Sequence, residues 1–328
     1  MAEVLQGEDG FLFVGSDGNN YLPQLTGQAT PSSATLDRIL YAQVARYLFC
    51  REVGARYVWA LVPGKERVLS EKLPPETRQM VDKTVPPIKR LLSRAVEQGL
   101  ASVAKNFLYD LANAFHEFTP REGLYHRTDT HWTHTGALLA YQYLIRSLAD
   151  PLIGMPITRP RASDAFQQGD LATLAGLGPE KIKHLANPLF GCKRVFDNNI
   201  ENNGKVEVFR GRYSDRPTAL ILRSSSIDFM KEFFLDHFSS TVMIFGPDLC
   251  YELLLNEAPD YVFHFQQERY LLRVPQENES KFLSESAKQK NKEEIQKELM
   301  RSFIEKGGYF LNRNASSRTA EIFLSGRI

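Results

Sequence analysis

Tyr125-His126-Arg127-Thr128-Asp129-Thr130-His131-Trp132-Thr133-His134-Thr135-Gly136-Ala137 places a carboxylate, an imidazole and an indole just before an apolar run, Ala137-Leu138-Leu139-Ala140-Tyr141-Gln142-Tyr143-Leu144-Ile145. The run predicts a helix, and the polar stretch predicts the loop that enters it. Such a loop holds an imidazole at a helix start, with a carboxylate near enough to fix its tautomer. That pairing suits a general base acting on a hydroxyl nucleophile. Asp129 and His131 stand two residues apart, so they meet only if the backbone turns between them. The hydroxyl has a candidate far along the chain: Arg223-Ser224-Ser225-Ser226, after Thr218-Ala219-Leu220-Ile221-Leu222. A strand-turn-helix would lift such a serine to a sheet's carboxyl edge, where backbone N–H groups can face a developing oxyanion. Serine is also favoured at helix N-caps, so a structural cap is the alternative role of the block.

Outward from these two stretches, strand and helix signals alternate. Gly10-Phe11-Leu12-Phe13-Val14 reads as a short strand. Pro31-Ser32-Ser33 offers helix-start chemistry, with Leu36, Ile39, Leu40, Val44, Tyr47 and Leu48 at helical spacing and Gly54 as a stop. Tyr57 to Val62 is continuously apolar, as a strand covered on both faces would be, and Pro63-Gly64-Lys65 ends it. Ile88 to Glu97 reads as a helix closed by Gly99, and Phe107 to Leu111 as a strand leading into a short helix. Later come a strand at Ala219–Leu222, a helix from Phe229 to Phe238, a strand at Val242–Phe245, a helix at Leu249–Leu255 and a strand at Tyr261–Phe265. This alternation predicts an α/β fold with a parallel sheet covered by helices. Between Pro151 and Gly211 the pattern weakens, and Pro, Gly and Asn predict loops or an inserted subregion, with Val206–Phe209 as its one strand. Glu277 to Glu305 is highly charged with a thin apolar stripe, which predicts a helical extension.

With 328 residues the chain can bury a large core. A net charge of +1 gives no global basic field for nucleic acid. No apolar run reaches the ~18–20 residues of a membrane span. Cys50, Cys192 and Cys250 are odd in number and far apart, so buried free thiols are expected, not a disulfide framework or zinc ribbon. His126, Asp129, His131 and His134 could in principle ligate a metal, but their spacing matches no metalloprotease or cysteine-cluster pattern, and no metal is expected. No dinucleotide fingerprint or P-loop is present.

On these residues the chain resembles the SGNH-hydrolase-like proteins of bacterial polysaccharide O-acetylation, the alginate O-acetyltransferase type. The family's Asp-x-His-Trp element is similar to Asp129, His131 and Trp132. Its apolar strand, then Arg-Asp-Ser-Phe, then a helix ending near His-Phe, resembles Leu220 through Phe238. The letters differ there: the family's Asp falls on Ser224, its nucleophile on Ser225 and its Phe on Ser226. That departure removes a charge and a ring, and leaves Ser224 and Ser226 as alternative nucleophiles. Gly7 to Phe13, Val62-Pro63-Gly64-Lys65, Ala258 to Val262 and Glu268 to Leu271 are further echoes, so the resemblance runs from Gly7 to Pro275.

The resemblance implies a three-layer, SGNH-like α/β fold with a central, mainly parallel sheet over residues 1–275; the sequence pattern itself sets off a loop-rich insertion at 151–211 and a charged helical extension at 276–328. The resemblance also implies acyl transfer by Ser225, with His131 as base and Asp129 orienting it, to or from a carbohydrate hydroxyl. Trp132, Arg223 and Lys65 would support the site or touch substrate: Trp132 chiefly by packing, Arg223 through an ion pair or an anionic substrate, Lys65 from the site edge. No dissociable cofactor is required, and the acetyl donor is left open. A carbohydrate-binding or assembly protein with a lapsed site is the other reading of the altered serine block. The extension reads as a protein-docking helix, an oligomer contact or an addition from outside the family. Members of the family work at the cell envelope. The sequence as it stands carries no export signal, so a cytoplasmic location is expected unless one has been removed.

Overall fold

The structure, a computed structural model, describes residues 3–116, 118–155, 160–188, 190–275 and 301–302. β1 (Glu3–Gln6) and β2 (Leu12–Ser16) form an antiparallel pair at the start of the chain. The central sheet is built from β3 (Arg56–Val62) and β4 (Leu108–Asp110). A separate antiparallel pair follows in the chain, β5 (Arg161–Gln167) and β6 (Glu180–Ala186). The sheet is completed by β7 (Lys193–Asp197), β8 (Val206–Arg210), β9 (Thr218–Arg223), β10 (Ser240–Phe245) and β11 (Tyr261–Gln267). Its order is β4-β3-β11-β9-β10-β8-β7. All pairs from β4 to β10 are parallel, whereas β8 runs antiparallel to both of its neighbours.

Strand alternation divides the core into two layers. Val58, Ala60 and Val62 of β3 pack on one side with Ile221 of β9 and Phe263 of β11. Tyr57, Trp59 and Leu61 pack on the other with Leu220 and Leu222. Both faces are therefore apolar, which is why these strands read as continuous hydrophobic runs. The helix His134–Leu148 contributes Ala137, Ala140, Tyr141 and Leu144 to the first layer. The helices Ser33–Glu52, Pro87–Glu97 and Tyr251–Glu257 cover the second, supplying Ile39, Leu91 and Leu253. Ser32 caps the first of these, its hydroxyl accepting from Thr35 N–H at 3.1 Å. Among the described residues no helix is long and apolar enough to cross a membrane. Cys50 and Cys250 are buried and Cys192 half-buried, and no disulfide joins them.

Two expectations change. The helix expected from Phe229 to Phe238 is three short turns, Ser225–Phe229, Lys231–Phe234 and Leu235–His237. The segment closes through i→i+3 bonds, with Met230 N–H donating to Ile227 O at 3.0 Å and Phe238 N–H to Leu235 O at 3.1 Å, and such tight turns run for only a few residues. In the stretch from 151 to 211, β5, β6 and β7 form in addition to β8. β5 is mostly exposed and β6 mostly half-buried, and they are joined by cross-strand pairs such as Lys181–Asp164 at 2.7 Å, so they carry no apolar periodicity to read. The expected charged helix at Glu277–Glu305 lies outside the described residues, apart from 301–302.

The parallel order brings the carboxyl ends of β3, β11, β9 and β10 to one edge. Pro63-Gly64-Lys65 and Ser224-Ser225 follow β3 and β9, and Gln267 and Phe245 are the last residues of β11 and β10. Open α/β sheets bind ligands along that edge.

Candidate active site

The loop from Tyr125 to Trp132 is closed at its base. Tyr125 and Trp132 form an isolated antiparallel bridge, and His126 N–H donates to His131 O at 3.2 Å. Thr133 then caps the helix His134–Leu148, its hydroxyl accepting from Gly136 N–H at 3.2 Å. The bridge makes the chain reverse, which supplies the turn that Asp129 and His131 need. Asp129 Oδ1 accepts from the backbone N–H of His131 at 2.8 Å and lies 2.6 Å from ring Nδ1. With Nδ1–H donating to the carboxylate, Nε2 carries the lone pair. His131 Nε2 lies 2.6 Å from Ser225 Oγ.

The other carboxylate oxygen is held from the β5–β6 side. Asp129 Oδ2 accepts from Asp170 N–H at 3.1 Å and from Gln167 Nε2 at 3.4 Å. Burial pushes the Asp129 carboxyl up, but the hydrogen bonds and charge of His131 and the Asp170 N–H outweigh it. The carboxyl is held well below its ordinary range. Glu180 of β6 accepts from Thr128 N–H at 3.2 Å and from its hydroxyl at 3.1 Å. Asp170 accepts from Thr130 N–H at 2.8 Å. No local pattern marked Gln167, Asp170 or Glu180, because they reach the loop only through tertiary contacts.

Ser225 opens the turn after β9 and is half-buried, with Ser224 extended before it. Its neighbours face elsewhere. Ser226 is buried, its hydroxyl accepting from Gln267 Nε2 at 2.5 Å. Ser224 Oγ is buried with no hydrogen-bond partner among the described residues. Of the three serines, Ser225 is the one hydrogen-bonded to His131. Phe229, which the sequence reading did not single out, packs on the imidazole with ring centroids 5.5 Å apart. It supplies a ring beside the base although Ser226 stands where the resemblance expects one.

Trp132, Lys65 and Arg223 are all buried and held by partners within the protein. Trp132 is 1% exposed, and its indole donates to Ser226 O at 2.9 Å, tying the histidine loop to the serine turn. Lys65 is 2% exposed, and its ammonium donates to Leu12 O at 2.6 Å, Arg127 O at 2.8 Å and Asp129 O at 3.1 Å. Burial lowers its pKa against the pull of Glu66, Glu180, Asp129 and Asp170. Arg223 is buried, paired to Glu207 at 2.7 Å and Asp228 at 3.0 Å, and stacked on Phe245.

The four residues weighed as metal ligands do not converge. The rings of His126 and His134 pack on Phe229. Among the described residues Asp129, His131 and Asp170 do bring ligand atoms within 4.8 Å of one another. Both His131 nitrogens are hydrogen-bonded there, one with Asp129 and one with Ser225.

Comparison with known proteins adds a family and a fold. Residues 4–189 match the family described as SGNH hydrolase-like domain, acetyltransferase AlgX. No curated protein matches the chain. Among solved structures, Bacillus cereus PatB1 is similar at 16% identity with a TM-score of 0.62, over 84% of this chain and 100% of that one. The O-acetyltransferase domain of Pseudomonas putida AlgJ is 21% identical with a TM-score of 0.52, over 89% of this chain and 99% of that one. A DHHW family protein from Eubacterium siraeum is 15% identical with a TM-score of 0.55, over 82% and 95%. At these identities the structural likeness is one of fold.

Proposed function

The chain belongs to the SGNH hydrolase-like, AlgX-type acetyltransferase family, and from that premise we propose that it moves an O-acetyl group to or from a carbohydrate hydroxyl through a Ser225–His131–Asp129 triad. The observation that carries this reading is the unbroken hydrogen-bonded run from Asp129 Oδ1 through His131 to Ser225 Oγ, with both links at 2.6 Å. The serine substitutions around the nucleophile leave that run intact.

In this reading Ser225 Oγ attacks the acyl carbonyl while His131 Nε2 takes its proton. The carbon–oxygen bond to the leaving group breaks, and His131 returns the proton to that group. An acetyl-Ser225 ester remains. An acceptor hydroxyl, or water, then attacks this ester while His131 removes its proton. The Ser225–acetyl bond breaks, and the proton returns to Ser225 Oγ. Asp129 stays ionised and stabilises the imidazolium formed in each half. The catalytic unit in this reading is residues 1–275, and the acceptor is a sugar; the AlgJ domain that the chain is similar to in fold is itself described as an O-acetyltransferase.

Acetate release from a chromogenic acetyl ester tests it. Native protein is expected to turn over slowly, and Ser225→Ala and His131→Ala each to remove that activity by about 10³-fold or more. Equal turnover by native protein and both variants would overturn the triad. A native chain as inert as its variants would turn the reading to a carbohydrate-binding protein with a lapsed site.

A further inference from the structure

The turn Ser225–Phe229 meets His131 at both of its ends. Ser225, its first residue, lies 2.6 Å from ring Nε2, and Phe229, its last, lies against the ring itself. The two rings are stacked, with centroids 5.5 Å apart and planes 28° apart. Asp129 at Nδ1 and Ser225 at Nε2 leave the imidazole free to rock about the line through its two nitrogens. A ring on one face opposes that rocking.

A phenyl face does more than pack when its neighbour becomes charged. Its quadrupole attracts a cation within about 6 Å of the centroid, and an imidazolium is such a cation. In the proposed reaction His131 is neutral before Ser225 attacks and an imidazolium afterwards. The contact therefore strengthens as charge develops, which lowers a barrier and does not merely tighten the ground state. Burial against an apolar ring has the opposite sign, because it disfavours the charged form. Here His131 keeps 15% of its side chain exposed and has the Asp129 carboxylate 2.6 Å away, so its charged form is not stranded.

Two further histidines reach Phe229, His126 at 5.6 Å and His134 at 5.1 Å between ring centroids, but their planes are inclined by 50° and 66°. Burial holds both below the usual imidazole range, His134 at about 4, so they meet the ring uncharged at neutral pH. The charged groups around His131 come from other segments. Asp170 brings a carboxylate oxygen within 4.8 Å of it, the Lys65 ammonium donates to Asp129 O at 3.1 Å, and Glu180 lies 3.8 Å from His126 Nδ1. A change confined to the Phe229 ring alters none of these.

We propose that Phe229 is a positioning residue for the acyl transfer: it holds one face of His131 and favours the charged form through the quadrupole of its ring. The inference rests on the triad reading above. It gives the nucleophile's own turn a part in setting the base, in a chain that has Ser226 where the resemblance expects a ring.

Fluorine withdraws electron density from a phenyl face and changes its shape little, so it separates charge from packing. The full chain is prepared with 4-fluoro-, 3,5-difluoro- and 3,4,5-trifluorophenylalanine in place of Phe229. The pH midpoint at which His131 takes up its proton is followed by nitrogen-15 NMR, its signal being the one that His131→Gln removes. That midpoint is expected to fall with each added fluorine, by about 0.4–0.7 in all. Turnover of a chromogenic acetyl ester should fall in step, with kcat down by about two- to fivefold. Thermal unfolding identifies any protein that has lost its fold, and the monofluoro ring is nearly the native shape. A midpoint that stays level or rises across the folded set would overturn the inference, and so would a falling midpoint with unchanged kcat. A falling midpoint in a native chain that never turns over the ester would sink the acyl-transfer reading alone. Ester turnover with a level midpoint would sink this inference alone.

Discussion

Asp129 holds two elements through two oxygens. Oδ1 takes the ring and backbone of His131, and Oδ2 takes the Asp170 N–H and Gln167. Asp129→Asn keeps the size but places an amide where one pair of donors now points, and it removes the charge that fixes the Nδ1–H tautomer. We expect kcat to fall on the order of 10²–10⁴-fold with little change in KM, read from steady-state ester turnover. An unchanged kcat would remove Asp129 from the mechanism. The depressed carboxyl also sets a sign. Its folded-state pKa lies below the ordinary unfolded value of about 3.9, so the stabilisation it gives is present above that pH and is lost as pH falls through the folded value. Lys65 acts beneath the same loop. Lys65→Met fills the space but takes a donor from three backbone carbonyls, of which Arg127 O keeps the Leu12 N–H. A loss of about 1–3 kcal/mol in denaturant unfolding is expected, with a fall in kcat as the Asp129 segment loosens. Full stability and activity in that variant would show that the three bonds contribute nothing.

At the scale of elements, the site depends on how closely the β5–β6 pair approaches the histidine loop. Gly169 makes that approach possible: a Cβ there would lie 2.1 Å from Thr128 O, a backbone atom that cannot swing aside. Ala172 N–H donates to the same carbonyl at 2.9 Å, and Asp170 N–H reaches Asp129. Gly169→Ala should push the two elements apart and lower kcat by about 10- to 100-fold, because small misplacements of a catalytic group are costly. Near-native kcat in a folded Gly169→Ala protein would mean that the loop orients itself without the pair. The second coupling, Trp132 to Ser226, joins the histidine loop to the serine turn. Trp132→Phe keeps much of the packing but leaves Ser226 O without its indole donor. About 1–2 kcal/mol of stability should be lost in chemical denaturation, and a smaller change than about 0.5 kcal/mol would show that the link is dispensable.

Across the whole molecule, several histidines are kept neutral by burial. Burial lowers the pKa of His126 and His237, and lowers that of His134 to about 4. His264 is held well below its usual value by burial, with Arg46 adding to the effect. Each folded-state pKa lies below the unfolded one, so the unfolded chain binds more protons between the two values and stability rises with pH there. The thermal midpoint should therefore fall as pH drops from about 7 to about 5, the range in which unfolded histidines charge. A midpoint that stays level or rises over that range would contradict the assignment of these rings as buried and neutral.

Much of the architecture was legible because periodicity reports burial directly. Tyr57–Val62, Ala219–Leu222 and Tyr261–Phe265 are apolar at every step or nearly so, as strands between two helical layers must be, and Asp129-x-His131-Trp132 is local enough for its turn to be foreseen. The sequence by itself determined the α/β alternation, the histidine loop at a helix start and the serine block at a strand end. Only the tertiary structure decided which serine meets the imidazole, since three adjacent serines differ in direction and not in letter. It also decided that Lys65 and Arg223 turn inward, that Phe229 packs on His131, and that Gln167, Asp170 and Glu180 brace the loop. Those outcomes depend on sheet order, with β11 between β3 and β9, and on a strand pair without a buried residue, held by cross-strand contacts. Long-range pairing of polar groups leaves no periodic trace along the chain, because it is fixed by which surfaces meet and not by which residues are apolar.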